Sequence, residues 1–169
     1  MDDADATPLA TRPYMPGYGI LPAEDGPGLL PWSWALERLR SSHEYWLATT
    51  WPDGGPHVMP VWGVWRDGAL WFSSGLGSRK ARNLDHDPQC VLTTDNPREP
   101  VVVEGEAERV LELAEIAAFN DTVNEKYGTH SSADFYDPTT NGVWRVTPSW
   151  VFGLASDDFT GTPTRWEPS

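Results

Sequence analysis

Between residues 45 and 154 the chain alternates short runs of aromatic, β-branched and aliphatic residues with turns rich in glycine, proline and aspartate. This pattern is typical of strands joined by tight connections. The runs predicted as strands are residues 45–50, 57–65, 69–74, 89–95, 99–110, 143–146 and 150–154. Pro52-Asp53-Gly54-Gly55 and Asp67-Gly68 provide hairpin turn residues, so the first three strands are predicted to form an antiparallel meander.

Apolar residues at helical spacing predict three helices, over about residues 33–42, 78–87 and 113–127. The third carries the most regular stripe, with Ile116, Phe119, Val123 and Tyr127 on one face. The resulting order, β-β-β-α-β-β-α-β-β with local connections, indicates a mainly β protein built as an antiparallel barrel with peripheral helices. Residues 1–30 are rich in proline, glycine and aspartate and are interpreted as an extended N-terminal arm, with residues 31–169 forming one domain.

The composition excludes several classes of function. The 169 residues have a formal net charge of -13, which argues against partners such as nucleic acid or an anionic membrane. The single cysteine, Cys90, rules out an internal disulfide and any multi-cysteine metal centre, and the four histidines lack partners at metal-ligand spacing. The acidic N-terminus has no signal-peptide pattern and no apolar run is long enough to span a membrane, so we expect a cytoplasmic protein.

The candidate chemistry lies in the segment Gly-Leu-Gly-Ser-Arg-Lys-Ala-Arg-Asn-Leu. Arg79, Lys80 and Arg82, three of the 12 cations of an acidic chain, fall within four residues where a strand is predicted to give way to a helix. Free N–H groups at a helix N-terminus, flexible glycines and a cationic pair form a phosphate site. A glycine turn followed by a solvated basic helix face explains the residues equally well, and the local pattern leaves both readings open.

The segments resemble a known family when they are taken in order. The segments are Asp-Gly-Gly-Pro-His-Val-Met-Pro-Val-Trp (53–62), Ala-Leu-Trp-Phe-Ser-Ser (69–74), Ser-Arg-Lys-Ala-Arg-Asn-Leu (78–84), Asp-Pro-Gln-Cys-Val-Leu (87–92) and Val-Val-Val-Glu-Gly-Glu-Ala (101–107). Their order and spacing resemble those of the pyridoxamine 5'-phosphate oxidase-like, FMN-binding split-barrel superfamily. The ending, with Trp-Arg-Val-Thr-Pro (144–148) and Thr-Arg-Trp (164–166), is similar to actinobacterial members.

The resemblance implies a six-stranded antiparallel split β-barrel that forms a homodimer, with a cofactor in each cleft between subunits. It implies that Arg79 and Lys80 bind the cofactor phosphate, and that the strand 57–62 lies along the tricyclic ring. The full set of implied cofactor-binding residues is His57, Val58, Met59, Pro60, Val61, Trp62, Ser73, Ser74, Ser78, Arg79, Lys80, Asn83 and, from the tail of the partner chain, Trp166.

The chain also departs from true pyridoxamine 5'-phosphate oxidases. His57 and Trp62 stand where those enzymes carry an arginine and a lysine, and no C-terminal Arg-x-His motif is found, so pyridoxal phosphate synthesis is not expected. The Pro-Val-Trp strand is more similar to the branch that uses the deazaflavin coenzyme F-420. The expected cofactor is therefore coenzyme F-420 or FMN.

The expected activity is hydride transfer to a small conjugated or heteroaromatic substrate. Because the ring would do the chemistry, no side chain is assigned as catalytic. His57 is either a proton donor beside the ring or a strand-edge residue bonded to backbone. The alternatives are a non-catalytic protein that binds or carries FMN or haem, such as a stress protein, and an FMN-dependent oxidase.

Overall fold

The computed structural model describes residues 7–168, in which eight strands and three α-helices account for most of the chain. Residues 1–6 of the predicted arm, and residue 169 of the predicted domain, lie outside the described part. In chain order the elements are β1 (Leu9–Thr11), α1 (Trp32–Ser41), β2 (Glu44–Thr50), β3 (Pro56–Arg66), β4 (Ala69–Gly75), α2 (Arg79–His86), β5 (Gln89–Thr94), β6 (Val101–Val110), α3 (Leu113–Tyr127), β7 (Asn141–Gly153) and β8 (Thr164–Glu167).

Six of the strands close into a barrel. They run in the order β7-β4-β3-β2-β5-β6, and β6 pairs with β7 to close the ring, with every pairing antiparallel. Strand β3 is shared between two partners, since residues 56–62 pair with β2 and residues 63–66 pair with β4. The predicted mainly β, six-stranded antiparallel split barrel is confirmed.

The two faces of the sheet carry two separate clusters of buried apolar residues. Alternation along the strands sends residues such as Leu47, Leu70 and Leu92 into the barrel interior, where all three are fully buried. On the outside of β3, β4 and β7, α3 covers a second cluster that includes Trp71 and Phe119. This second cluster places α3 beside the strands that carry the candidate site.

The two strands predicted over residues 143–146 and 150–154 are one continuous strand, β7. They join because β6 is long enough to pair along the whole of β7, and a bulge between Glu104 and Gly105 absorbs the irregularity opposite Pro148. A proline is tolerated at such a bulge because no ladder N–H is required there. Gly105 is needed at this point, since a Cβ would lie 2.1 Å from the carbonyl oxygen of Thr147.

The N-terminal arm and the C-terminal tail extend the barrel wall. Strand β1 pairs with β8, and β8 pairs with the end of β7. Arg12 secures the arm by donating hydrogen bonds from Nη1 to the carbonyl oxygens of Gly161 (3.1 Å) and Pro163 (2.6 Å). The arm and the tail therefore hold each other against one edge of the barrel.

Candidate functional site

The N-terminus of α2 lies at the end of β4. The turn 75–77 leads into Ser78, whose hydroxyl caps the helix by accepting a hydrogen bond from the Ala81 N–H at 3.2 Å. The Ser74 hydroxyl lies 3.0 Å from that of Ser78. A capped first turn leaves backbone N–H groups and the positive end of the helix dipole directed out of the helix, an arrangement that favours an anion.

The cations of this helix lack anionic partners. Among the described residues, Arg79, Lys80 and Arg82 form no ion pair, whereas Arg38 and Arg66 each bind a glutamate. Burial without a compensating carboxylate lowers the pKa of Lys80. An anion bound here would therefore meet positive charge that the fold itself does not neutralise.

The Arg79 guanidinium lies against an indole. Its Cζ atom is 3.4 Å from the centroid of the Trp51 ring, so the guanidinium stacks on the ring face. Trp51 belongs to the turn between β2 and β3. Its backbone is held at both ends, because its N–H donates to the Gly55 carbonyl and its carbonyl accepts from the Gly54 N–H, each at 2.8 Å.

The first half of β3 presents apolar side chains to solvent. Val58, Met59, Pro60 and Trp62 are exposed, whereas Val61 points into the barrel core. His57 is half-buried, and its Nδ1 atom is buried without a hydrogen-bond partner. The strand predicted to lie along a cofactor ring thus offers an open apolar surface, and the turn that leads into it carries Trp51, on which Arg79 of α2 stacks.

Trp62 is held by an aromatic stack. Its ring lies parallel to that of Tyr127, with a centroid distance of 4.2 Å and an interplanar angle of 3°. The Tyr127 hydroxyl accepts from the Gly63 N–H at 2.9 Å and donates to the His43 carbonyl at 2.7 Å. Burial raises the pKa of Tyr127 to about 12, so the hydroxyl stays neutral and retains its proton.

Lys126 lies beneath this stack. Its ammonium donates to the Tyr45 hydroxyl and to the Gly63 carbonyl, each at 2.8 Å. Burial lowers its pKa to about 8, and burial raises the pKa of Tyr45. Sequence reasoning assigned no role to Lys126 or Tyr127, because the spacing on α3 marks only a buried stripe and gives no sign of a partner on β2 or β3.

A cavity of about 280 Å³ opens beside Trp62, between the barrel wall, α3 and the loop that follows α3. Its lining combines four aromatic rings with small hydroxyl side chains and carries no charge: Trp62, Ser73, Phe119, Val123, Thr129, Ser131, Phe135 and Tyr136. The loop is fixed by Asn124, whose Oδ1 accepts hydrogen bonds from the Thr129 hydroxyl and from the N–H and hydroxyl of Ser131. These residues come from four separate segments, so the cavity has no local sequence signature.

The structure distributes the predicted site residues over two places. Ser74, Ser78, Arg79 and Lys80 come together at α2, whereas Ser73 faces the cavity with Trp62. Neighbouring residues of a strand point to opposite faces of the sheet, which separates Ser73 from Ser74.

Three of the predicted residues are not accessible, and the first of them, Val61, points into the barrel core. Asn83 is fully buried and donates from Nδ2 to the Thr49 hydroxyl at 3.0 Å, although its Oδ1 lacks a partner. Trp166, expected to reach the partner chain's site, is fully buried in its own chain, where it packs against Trp32 at 5.6 Å. The indole of Trp166 is directed into the core because β8 pairs with β7.

Residues 7–168 contain neither a metal-ligand cluster nor a membrane-spanning helix. No three histidine, cysteine, aspartate or glutamate side chains in this range are grouped so as to hold a metal ion. None of the helices within the same range is long and apolar enough to cross a membrane.

The fold of this chain resembles those of several solved structures. Among solved structures, an F420 reductase is 26% identical with a TM-score of 0.57, covering 68% of this chain and 93% of that one. The conserved hypothetical protein Rv2991 from Mycobacterium tuberculosis is 23% identical (TM-score 0.62; 89% and 88% covered). A heme binding protein from Mycobacterium smegmatis is 21% identical (TM-score 0.58; 76% and 60% covered). The likeness to the Rv2991 protein and to the heme binding protein shows that this chain shares their fold.

No curated protein matches the chain. The sequence pattern of the pyridoxamine 5'-phosphate oxidase family, in contrast, matches residues 35–155, which run from α1 through the end of β7 and include every strand of the closed barrel. With the barrel, the capped cationic helix and this match in agreement, the chain belongs to the pyridoxamine 5'-phosphate oxidase family.

Proposed function

We propose that this protein is a flavin- or deazaflavin-dependent oxidoreductase that works as a homodimer. The observation that carries the proposal is the group of cations at the capped N-terminus of α2, which have no carboxylate partner within residues 7–168 and which contact, through Arg79 on Trp51, the turn that leads into the exposed apolar strand β3. FMN and coenzyme F-420 both join a phosphate to an apolar tricyclic ring. The phosphate of such a cofactor matches the cations of α2, and its ring matches the exposed apolar side chains of β3.

The residues present fit the phosphate of either cofactor. Arg79 offers a planar fork of N–H donors, Lys80 a point charge and Ser78 a hydroxyl at the positive end of a helix. An anion beside Lys80 would also stabilise its charged ammonium and so compensate for the water that burial removes from it. The apolar side chains of β3 would bind the ring and exclude water from its face.

When bound, the ring supplies the chemistry by exchanging a hydride with the substrate. The chain's own task is to orient the two molecules. Trp62, held by Tyr127, lies between the ring surface along β3 and the uncharged cavity. This position suits a side chain that sets the distance between cofactor and substrate.

The cavity supports an uncharged conjugated or aromatic substrate. Four aromatic rings favour a planar apolar molecule, and the Ser73 hydroxyl can donate a hydrogen bond to a carbonyl or ring nitrogen. The hydroxyls of Thr129 and Ser131 donate their protons to Asn124, so towards a substrate they can only accept. No cation lines it, so a phosphorylated substrate would have no partner there. This agrees with the missing Arg-x-His motif, and pyridoxal phosphate synthesis is not part of the proposal.

The homodimer is proposed from the outer face of β2 and β3. Trp46 pairs across the strands with Pro60, and Ala48 pairs with Val58, so their side chains share one face. Trp46 is 46% exposed and Val58 51% exposed. A continuous apolar face of this kind is suited to a second copy, which would also enclose a cofactor lying along β3.

The proposal is tested by titrating the purified protein with FMN and with coenzyme F-420, and following absorbance and fluorescence. The Arg79→Ala/Lys80→Ala double variant should bind the preferred cofactor at least about a hundredfold more weakly, because it loses two charge-assisted hydrogen bonds. Arg98→Ala/Arg165→Ala is the matched control, since it removes the same charge from ion pairs elsewhere. Unchanged affinity in the first variant would refute the phosphate site.

The same titration decides the cofactor, and turnover decides the activity. Tight binding of coenzyme F-420 alone supports a deazaflavin-dependent reductase, and tight binding of FMN alone supports a flavoprotein. Reduction of enones and quinones by the protein loaded with the reduced cofactor is expected, with the cofactor oxidised in the same step. Binding without turnover of any such substrate would assign the protein to the carriers instead.

A further inference from the structure

Arg79 has an unusual environment for a cation at a ligand site. Among the described residues it makes no hydrogen bond and no ion pair, yet its guanidinium is stacked at 3.4 Å on the face of Trp51. An arginine side chain has several rotatable bonds, and binding a ligand normally requires that they be ordered. Here the ordering contact is made inside the protein, before any ligand arrives.

Stacking leaves the hydrogen-bonding edge of the guanidinium free. The five N–H donors of arginine lie in the plane of the group, whereas the ring contact uses only its face. An anion can therefore approach the edge while the stack remains intact. A carboxylate partner in the same position would instead compete with the anion for the same donors.

The platform beneath Arg79 is rigid. Trp51 is half-buried, its N–H and carbonyl are both bonded within the β2–β3 turn, and the turn includes Pro52 and the positive-φ Gly54. The turn belongs to a different part of the chain from α2. Its contact with Arg79 thus ties the first turn of the helix to the strand pair that carries the exposed apolar surface.

We infer that Trp51 is a positioning residue for the anion site: it holds the Arg79 guanidinium with its donor edge free, so that a phosphate group meets an already ordered fork. This inference rests on the proposed function. It adds that the phosphate selectivity of the site depends on an aromatic face which itself touches neither phosphate nor substrate.

The test compares ligands with and without the phosphate in wild type, Trp51→Leu and Trp51→Phe. FMN is measured against riboflavin, which lacks only the phosphate, and coenzyme F-420 against its ribityl deazaflavin core, which lacks the phosphate and the chain attached to it. Trp51→Leu keeps apolar bulk without a ring face and should weaken binding of the phosphorylated ligand by about three- to tenfold, the range expected for ordering one long side chain. The phosphate-free ligands should bind unchanged, and Trp51→Phe should stay near wild type.

Trp150→Ala is the matched control for general effects of removing an indole. Trp150 is also half-buried and lies beneath a cation, Arg165, at 5.4 Å, but it belongs to β7. This variant should leave both members of each ligand pair unaffected. Thermal unfolding of all variants checks that the turn remains folded.

Several outcomes overturn the inference. Tighter binding of the phosphorylated ligand by Trp51→Leu would mean that the stack withholds Arg79 from the anion. Equal weakening of the phosphate-free ligand would mean that Trp51 contacts the ring. Adding Trp51→Leu to Arg79→Ala should cause no further loss, and a further loss would show that Trp51 acts independently of Arg79.

The same measurements distinguish failure of the proposed phosphate site from failure of the role of Trp51 alone. If wild type does not prefer a phosphorylated ligand to its phosphate-free counterpart, the anion site is wrong and the role of Trp51 fails with it. If wild type prefers the phosphate and Arg79→Ala loses that preference while Trp51→Leu keeps it, only the role of Trp51 fails.

Discussion

The two ends of the candidate site are built in opposite ways. At α2, cations and a capping serine lie within a few residues of one another and carry charge that nothing in the described chain neutralises. At the cavity beside α3, four separate segments bring together aromatic rings and hydroxyls without a single charge. The cationic end suits the phosphate that both candidate cofactors share. The uncharged end suits the substrate, which must differ from one enzyme of the family to another.

The largest difference expected between the two ends is in stability. Phe119 is 1% exposed and packs between Trp71 and Tyr136, so it belongs to the core as well as to the cavity. Phe119→Ala should lower the free energy of unfolding by about 3–5 kcal/mol. Arg79→Ala/Lys80→Ala should change it by no more than about 1 kcal/mol, because the variant loses the contact of Arg79 with Trp51 but no ion pair. Urea denaturation measures both, and equal losses would show that the cations are structural.

The only two lysines of the chain allow the second test. Burial lowers the pKa of both, but Lys126 is bonded to Tyr45 and Gly63 whereas Lys80 has no anionic partner among the residues that the structure describes. A bound phosphate stabilises the charged ammonium, so it should raise the pKa of Lys80 and leave that of Lys126 near 8.

This shift can be followed by NMR of labelled lysine side chains during a pH titration with and without FMN. With two lysines the spectrum contains two resonances, and Lys80→Gln identifies them. A shift of the Lys126 resonance alone would place the anion at the wrong end of the site.

The smallest expected effect is at the rim of the cavity. Phe135 is 59% exposed and contacts Tyr136 edge to face at 5.1 Å. Phe135→Ala should weaken binding of a neutral aromatic substrate by about two- to tenfold, the amount that one aromatic contact provides. FMN affinity and unfolding should stay at wild-type values. An unchanged KM for substrate would remove the cavity from the substrate site.

The local elements could be predicted because local rules govern them. Ser78 before a basic helix predicted a capped N-terminus, and the Ser78 hydroxyl does accept from the Ala81 N–H. Alternating apolar residues predicted the barrel strands. The prediction divided β7 in two at Pro148, because the bulge that accommodates this proline depends on β6, a partner more than 40 residues earlier in the chain.

Several features of the site could not be predicted from sequence. The family resemblance implied that Ser73 and Ser74 both bind the cofactor, yet the sheet sends them to different places. Trp166 was read as an accessible tail residue, but β8 directs it into the core. Trp51 was not singled out, since nothing near it in the chain indicates that Arg79 lies above its ring.

The sequence by itself determined the strands from β2 to β6, the turns, the cap and the concentration of positive charge on one helix, because each depends on residues a few positions apart. Only the tertiary structure decided which side chains face the same space. Barrel closure between β6 and β7, the packing of α3 on β3 and β4, and the stack of Arg79 on Trp51 join residues distant in the chain. Their energies come from burial and contact geometry, which a linear pattern does not record.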